Sequence, residues 1–212
     1  MTAGSVNTPR KRIGIYGGTF APPHNGHVHA ARCFTEEVRL DKLYIMPTFI
    51  PPHKTSEPDD DPADRLEMAK LAFSGIDGAS VSDFEIIRGG KSYTVNTLEY
   101  FCGEGDLMFL CGTDMFLSLG TWYRPERIFE LAEIAFMRRE RVSESLEIQI
   151  SEACDHYKKR FGARITMLRS PAVELSSTEV REALLSGRNI DGLVPASVAE
   201  YIRKKGLYGT KC

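Results

Sequence analysis

The chain has 212 residues, a hydrophobic fraction of 42%, a charged fraction of 26% and a formal net charge of -2. That length supports one sizeable core, and the composition is that of a globular protein rather than a fibrous or disordered one. The near-neutral charge gives no support to a broad basic surface for nucleic acid, no apolar run is long enough for a membrane-spanning helix, and five cysteines without a CxxC pair argue for reduced thiols rather than a disulfide scaffold or structural zinc.

Residues 1–11 read as a disordered tail, and 12–212 as a single domain. MTAGSVNTPRKR lacks the apolar stretch of a secretory signal, which predicts a cytoplasmic protein. Apolar runs then alternate with helical patterns. Strands are predicted at Ile13–Tyr16, Lys42–Met46, Ser80–Ile87, Leu107–Cys111, Ile134–Met137 and Arg164–Leu168. Helices are predicted at Gly26–Arg39, Ala63–Phe73, Thr94–Gly103, Pro125–Leu131, Ser143–Phe161, Ser177–Ser186 and Pro195–Lys205. This alternation predicts an α/β fold: a Rossmann-like, doubly wound, mostly parallel sheet with helices on both faces. Its ligand belongs beyond the C-terminal strand ends, where the strand order reverses. The proline-rich loop Thr48–Asp61 is long enough for a functional lid, and its Asp59-Asp60-Asp61 run reads as solvated surface.

The first strand runs through Gly17-Gly18 and Thr19-Phe20 into His24-Asn25-Gly26-His27 and a helix. Glycines let backbone N–H groups approach an anion, the helix start adds partial positive charge, and two imidazoles supply further donors to phosphate oxygens. Zinc is the rival for these histidines, with His24, His27, His29 and His53 as ligands. Against it, His29 lies two residues beyond His27 and points away from it on a helix, and no HExxH pattern is present. Gly90-Lys91-Ser92 is not the end of a P-loop, because the required glycine position holds Glu85. Asp114, just past a strand end, can accept hydrogen bonds from ribose hydroxyls. Trp122, the only tryptophan, has core packing as its plain alternative. Near the C-terminus, Ser176, Ser177 and Thr178 open a helix with Arg181 one turn in, a second phosphate-binding arrangement. Ser176 with Glu179 also makes an ordinary capping box. Arg138 lies near the expected strand-end face, with no role assigned.

GGTFAPPHNGH resembles the GGTFDPxHxGH signature of the HxGH nucleotidyltransferases, and within them most resembles the nicotinate-mononucleotide adenylyltransferases. Three further segments are similar in the family's order. DFEIIRGGKSYTVNTL resembles DxEIxRxGxSYTxDTL, CGTDMFLSLGTWYR carries the matching Gly, Asp and Trp, and VELSSTEVRE resembles ISSTxxR with Leu175 for isoleucine. The resemblance spans about residues 12–208, and PPHK also matches the family's lid segment. It implies a nucleotidyltransferase-type fold and adenylyl transfer from ATP to nicotinate mononucleotide, with Mg2+ accompanying ATP and no protein-bound metal. It implies catalytic roles for His24, His27, Lys54 and Arg181. ATP would contact Gly17, Gly18, Thr19, Phe20, Gly112, Asp114, Ser176, Ser177 and Thr178 in addition to both histidines and Arg181. Ser92, Tyr93, Thr94, Trp122, Tyr123 and Lys54 would form the acceptor site. There Trp122 would stack on the pyridine, and the Thr94 and Tyr123 N–H groups would meet the carboxylate. Two further positions depart from the pattern: Ala21 and Asn96 stand where the family usually has Asp.

The chemistry fits that residue set. The nucleophile is a phosphate monoester with a second pKa near ~6, already anionic at neutral pH, so no catalytic base is required. Donors and cations are needed instead, to position two anions and stabilise the leaving pyrophosphate. A same-fold enzyme using nicotinamide mononucleotide or phosphopantetheine is the nearest alternative, although phosphopantetheine has no flat ring for Trp122. A non-catalytic nucleotide-binding regulator is the rival from another class. Neither nucleic acid nor membrane is an expected partner, and homo-oligomer formation is left open.

Overall fold

A computed structural model describes residues 10–52, 61–138 and 143–210. Its six-stranded sheet contains β1 (Arg12–Gly18), β2 (Lys42–Pro47), β3 (Ala79–Val81), β4 (Asp106–Gly112), β5 (Ala132–Met137) and β6 (Ile165–Met167). The order is β3-β2-β1-β4-β5-β6, and every pairing is parallel. This is the doubly wound order, with its reversal between β1 and β4.

The helices are α1 (Asn25–Glu37), α2 (Pro62–Phe73), α3 (Phe84–Arg88), α4 (Thr94–Phe101), α5 (Thr113–Ser118), α6 (Pro125–Leu131), α7 (Glu144–Phe161), α8 (Ser177–Leu185) and α9 (Ala196–Lys205). Strand side chains alternate between two cores, as the pleat requires. Tyr16, Ile45, Met108 and Leu110 face α1, α2, α8 and α9. Ile13, Ile15, Leu107, Phe109 and Cys111 face α4 to α7. Gly14 has no side chain on the first face because Phe34 and Leu40 lie there; an added Cβ would stand 2.9 Å from the Phe34 ring and 2.4 Å from Leu40 Cδ1. The sheet and α1 therefore approach more closely than any side chain at Gly14 would allow.

Local signals set the helix ends. Asp61 caps α2 by accepting from Ala63 N at 2.8 Å, with Pro62 at its first position. Asp61, the last residue of the acidic run, is exposed and also serves as this cap. Ser143 caps α7, which ends on basic Lys158, Lys159 and Arg160 before Gly162 at φ 63°.

Some predicted boundaries change. The strand expected at Ser80–Ile87 is only Ala79–Val81, because the chain turns at Asp83 and forms α3. Five residues carry too little periodicity to show a helix, and the exposed Ile87 imitates a strand's apolar end. Helix α5 was likewise hidden behind β4. Arg10 and Lys11, counted with the tail, are tied to the sheet: Arg10 donates to Gly105 O, and Lys11 O accepts from Asp106 N at 2.8 Å.

Phe34 is completely buried between α1 and the sheet. Phe34→Ala is expected to lower the unfolding free energy by about 3–5 kcal/mol, measured by denaturant titration.

Candidate active site

Strands β1 and β4 lie side by side, yet β1 runs on to α1 on one face and β4 to α5 on the other. Between these diverging connections opens a cavity of about 700 Å³. Its lining includes Gly17, Gly18, Thr19, Phe20, His24 and His27 from the first connection, and Gly112 and Asp114 from the second. Ser92, Tyr93, Thr94, Trp122 and Tyr123 enter from the α4 side, and Ser177, Thr178 and Arg181 from α8. Four separate sequence segments thus meet in one crevice.

The histidines form an unusual helix cap. His24 is the N-cap of α1 and accepts on Nδ1 from His27 N, while His27 Nδ1 accepts from His24 N at 3.2 Å. The two rings stack with centroids 3.6 Å apart. This is the geometry of a capping box, with imidazoles replacing Ser and Glu. Since both Nδ1 atoms accept, the neutral rings carry their hydrogen on Nε2. Each Nε2–H is then a donor with a fixed direction. Gly26 keeps the pair compact, because an added Cβ would lie 3.0 Å from His24 Nδ1. His29 turns elsewhere: its Nε2 lies 3.0 Å from Pro171 O and 3.5 Å from Cys33 Sγ. Among the described residues no three His, Cys, Asp or Glu side chains gather around a common point.

The loop before the cap is held through its backbone. Phe20 adopts a left-handed φ of 51° and buries its ring against Tyr16, Phe73 and His27, with the His27 centroid at 5.1 Å. The ring covers Gly18, where a Cβ would be only 2.8 Å from Phe20 Cζ. Arg181 donates to Ala21 O at 2.6 Å and to Thr178 Oγ1 at 3.1 Å, and Ser177 donates to Pro22 O at 2.9 Å. These bonds order the loop without a carboxylate at position 21, which accounts physically for Ala21.

Arg65 was not singled out by the sequence reading. It is wholly buried on α2 and donates to Thr19 O at 3.0 Å, Thr48 O at 2.6 Å and Phe49 O at 3.1 Å. One guanidinium therefore joins the loop after β1 to the loop after β2. A regular amphipathic helix gives no sign that one of its inward positions is an arginine bound to carbonyls. Tyr157 was also missed; it accepts from Gly120 N and donates to Phe116 O, fixing the turn before Trp122.

On the α4 side, Trp122 is half-buried, packs edge-on against Phe109 at 6.1 Å and donates from Nε1 to Ser118 Oγ at 3.3 Å. It serves the core and lines the cavity together. Tyr93 and Tyr123 stand with ring centroids 4.7 Å apart. Ser92 accepts from Phe49 N at 2.9 Å, tying the start of α4 to the loop after β2. Glu85, on α3, is buried and lines the same cavity. Burial pushes its carboxyl above the usual range, against the Thr97 and Ser92 hydroxyls and the Arg88 charge, which favour ionisation.

Two expected site residues, Ser176 and Lys54, are not among the described lining. Ser176 does not line the cavity, because its side chain and N–H form the capping box with Glu179. Asn96 does not line it either. His53 and Lys54 lie outside the described residues. Arg138 at the end of β5 pairs with Glu147 at 3.4 Å, and its carbonyl accepts from Ala172 N.

The profile of the cytidylyltransferase-like family matches residues 15–183. A probable nicotinate-nucleotide adenylyltransferase of Desulfatibacillum aliphaticivorans is 36% identical, over 93% of this chain and 99% of its own length. One from Desulfitobacterium hafniense is also 36% identical, over 96% and 99%. Among solved structures, the Plasmodium falciparum nicotinic acid mononucleotide adenylyltransferase complexed with NaAD superposes with a TM-score of 0.72 over 95% of this chain and 98% of that one, at 17% identity. At that identity the likeness is one of fold.

Replacing Arg65 by Leu is expected to lower stability by about 2–4 kcal/mol, because each orphaned buried carbonyl costs ~1–3 kcal/mol before local relaxation. Chemical denaturation measures the loss.

Proposed function

The chain belongs to the cytidylyltransferase-like family and, within it, to the nicotinate-nucleotide adenylyltransferases, and from that membership we propose that this cavity joins ATP to nicotinate mononucleotide. The products are nicotinate adenine dinucleotide and pyrophosphate, a step of NAD biosynthesis. The observation that carries the reading is the reciprocal His24–His27 cap, in one cavity with Trp122 and the start of α4.

The roles follow from donor chemistry. His24 and His27 direct Nε2–H donors at the ATP phosphates. The backbone of Gly17, Gly18, Thr19 and Phe20 lies alongside. Arg181 has five N–H donors and uses two on Ala21 and Thr178, so others remain for the triphosphate, assisted by the α8 start at Ser177 and Thr178. Asp114, exposed in the first turn of α5 beside Gly112, accepts from the ATP ribose. Trp122 stacks on the pyridine, while Thr94 and Tyr123 present N–H groups to its carboxylate. Ser92 and Tyr93 shape that end of the pocket. Lys54 is assigned to a phosphate on the sequence match alone.

An acceptor phosphate oxygen attacks the α-phosphorus, the new P–O bond forms, and the bond to the β-phosphate oxygen breaks with its electrons leaving on pyrophosphate. The nucleophile brings its own charge, so the protein's part is alignment and donation to developing charge. Mg2+ would accompany ATP, carried largely by its phosphates and water. When bound, it offsets phosphate charge.

A cytoplasmic setting is supported by the free thiols of Cys33, Cys102, Cys111 and Cys154. No described helix is long and apolar enough to cross a membrane.

His24→Asn keeps an N-cap acceptor and loses the distal donor, and His27→Ala loses its donor outright. Each is expected to lower turnover on the order of a hundredfold in a pyrophosphate-release assay. Near-wild-type turnover in both would remove the assignment.

The acceptor pocket also predicts a choice. Nicotinate offers two charged acceptor oxygens, whereas nicotinamide must turn an NH₂ toward a donor. Charge-assisted bonds and the ~1–3 kcal/mol cost of an unpaired donor together predict at least about a hundredfold preference for the acid in kcat/KM. Trp122→Ala is expected to weaken both acceptors and keep their order, since stacking does not sense the substituent. Equal use of acid and amide by the wild type would instead mark a dual-specificity enzyme.

A further inference from the structure

Resting on the assignment of ATP and nicotinate mononucleotide to the two sides of the cavity, we infer that Arg65 is a positioning residue that fixes the spacing between the two substrates. The starting point is its cost. Arg65 is completely buried on α2, whose other inward positions, Met68, Ala69, Ala72 and Phe73, are apolar. An apolar side chain there would pack without desolvating a guanidinium. What the guanidinium adds is three carbonyl partners on two loops: Thr19 O and Thr48 O accept from Nη1 at 3.0 and 2.6 Å, and Phe49 O accepts from Nη2 at 3.1 Å. Arg65 is not part of the cavity lining, so it acts through these loops rather than on a ligand.

Each loop leads to a different substrate. Thr19 precedes Phe20, whose left-handed backbone places its ring 5.1 Å from that of His27, on the phosphate side. On the other side, Phe49 N donates to Ser92 Oγ and Ser92 N donates to Ile50 O, both at 2.9 Å. Ser92 leads through Tyr93 into the start of α4 at Thr94, the acceptor side. Thr48 N also donates to Gly18 O at 2.9 Å, so the two loops leave β1 and β2 still paired. Arg65 extends that pairing beyond the sheet, where strand hydrogen bonds no longer hold the chains in register. A continuous path thus runs from the His27 ring through Phe20, Thr19, Arg65 and Phe49 to Ser92. A planar guanidinium fork holds three carbonyls in fixed directions, whereas a lysine ammonium is a point donor on a flexible stem. The reaction needs a phosphate oxygen of one anion held in line with the α-phosphorus of another that repels it. What fixing the two loops contributes is therefore alignment.

The test compares wild type, R65K and R65M. Calorimetric titrations measure the binding of adenosine monophosphate, of nicotinate mononucleotide and of the dinucleotide that joins them, and the binding stoichiometry gives the folded fraction. Joining two ligands gains affinity through an effective concentration set by how well the spacing of the two subsites is held. For R65K the expected result is single-ligand Kd values within about threefold of wild type, a dinucleotide Kd weaker by at least about tenfold, and a kcat per binding site lower by at least about the same factor, since a misplacement of ~1 Å can cost about a hundredfold. R65M is expected to show the same pattern more strongly, and R65K alone decides if R65M does not fold. A residue that only stabilises the fold would lower the melting temperature and the stoichiometry while leaving the dinucleotide Kd unchanged, and that result overturns the proposal. A dinucleotide loss no larger than the product of the two single-ligand losses overturns it too, because Arg65 would then support each subsite separately. A wild type that releases pyrophosphate from ATP with neither the acid nor the amide mononucleotide would overturn the parent reading instead.

Discussion

Two parallel strands that are hydrogen-bonded neighbours, but feed helices on opposite faces of the sheet, cannot have their shared C-terminal edge covered by either connection. That constraint at β1 and β4 creates the crevice, and the position of every candidate residue follows from it. The glycine pair ends β1 at the crevice floor, α1 begins at its rim, and Gly112 to Asp114 leave β4 on the other side. The loop after β2, the α3–α4 segment and α8 are brought in from elsewhere in the chain.

How they are brought in is a matter of backbone carbonyls more than of ion pairs. Arg65 collects carbonyls from two loops, Arg181 takes one from Ala21, and Ser177 takes one from Pro22. Carbonyls are present whatever the side chain, so these bonds do not depend on a carboxylate at position 21. The surface ion pairs, such as Arg127 with Glu130, sit away from the crevice and contribute little to its shape.

Much of this was legible in the sequence because the information was local. A strand of Ile13 to Tyr16 followed by two glycines and a capped helix needs no distant partner to be recognised. The same holds for α6, whose start at Pro125 and end at Leu131 match its pattern. What was not legible depends on distant partners. Phe84–Arg88 folds as a helix because Glu85 meets Thr97 and Gly89 reverses the chain, neither of which an apolar pattern records. Arg65 reads as an ordinary helix residue until the loops around it are in place. Ser176 could bind phosphate or cap its own helix, and Glu179 three residues on decides for the cap.

The reciprocal histidine cap suggests why a site for two repelling anions is built on imidazoles rather than on lysines alone. A lysine ammonium is a strong point charge on a flexible stem, able to follow either anion. The histidines here have their Nδ1 atoms committed to each other's backbone N–H, so ring orientation and tautomer are set by the helix start itself. The orientation of both rings was fixed on folding, before any ligand arrives, and groups that need not reorganise are the most effective stabilisers of developing charge.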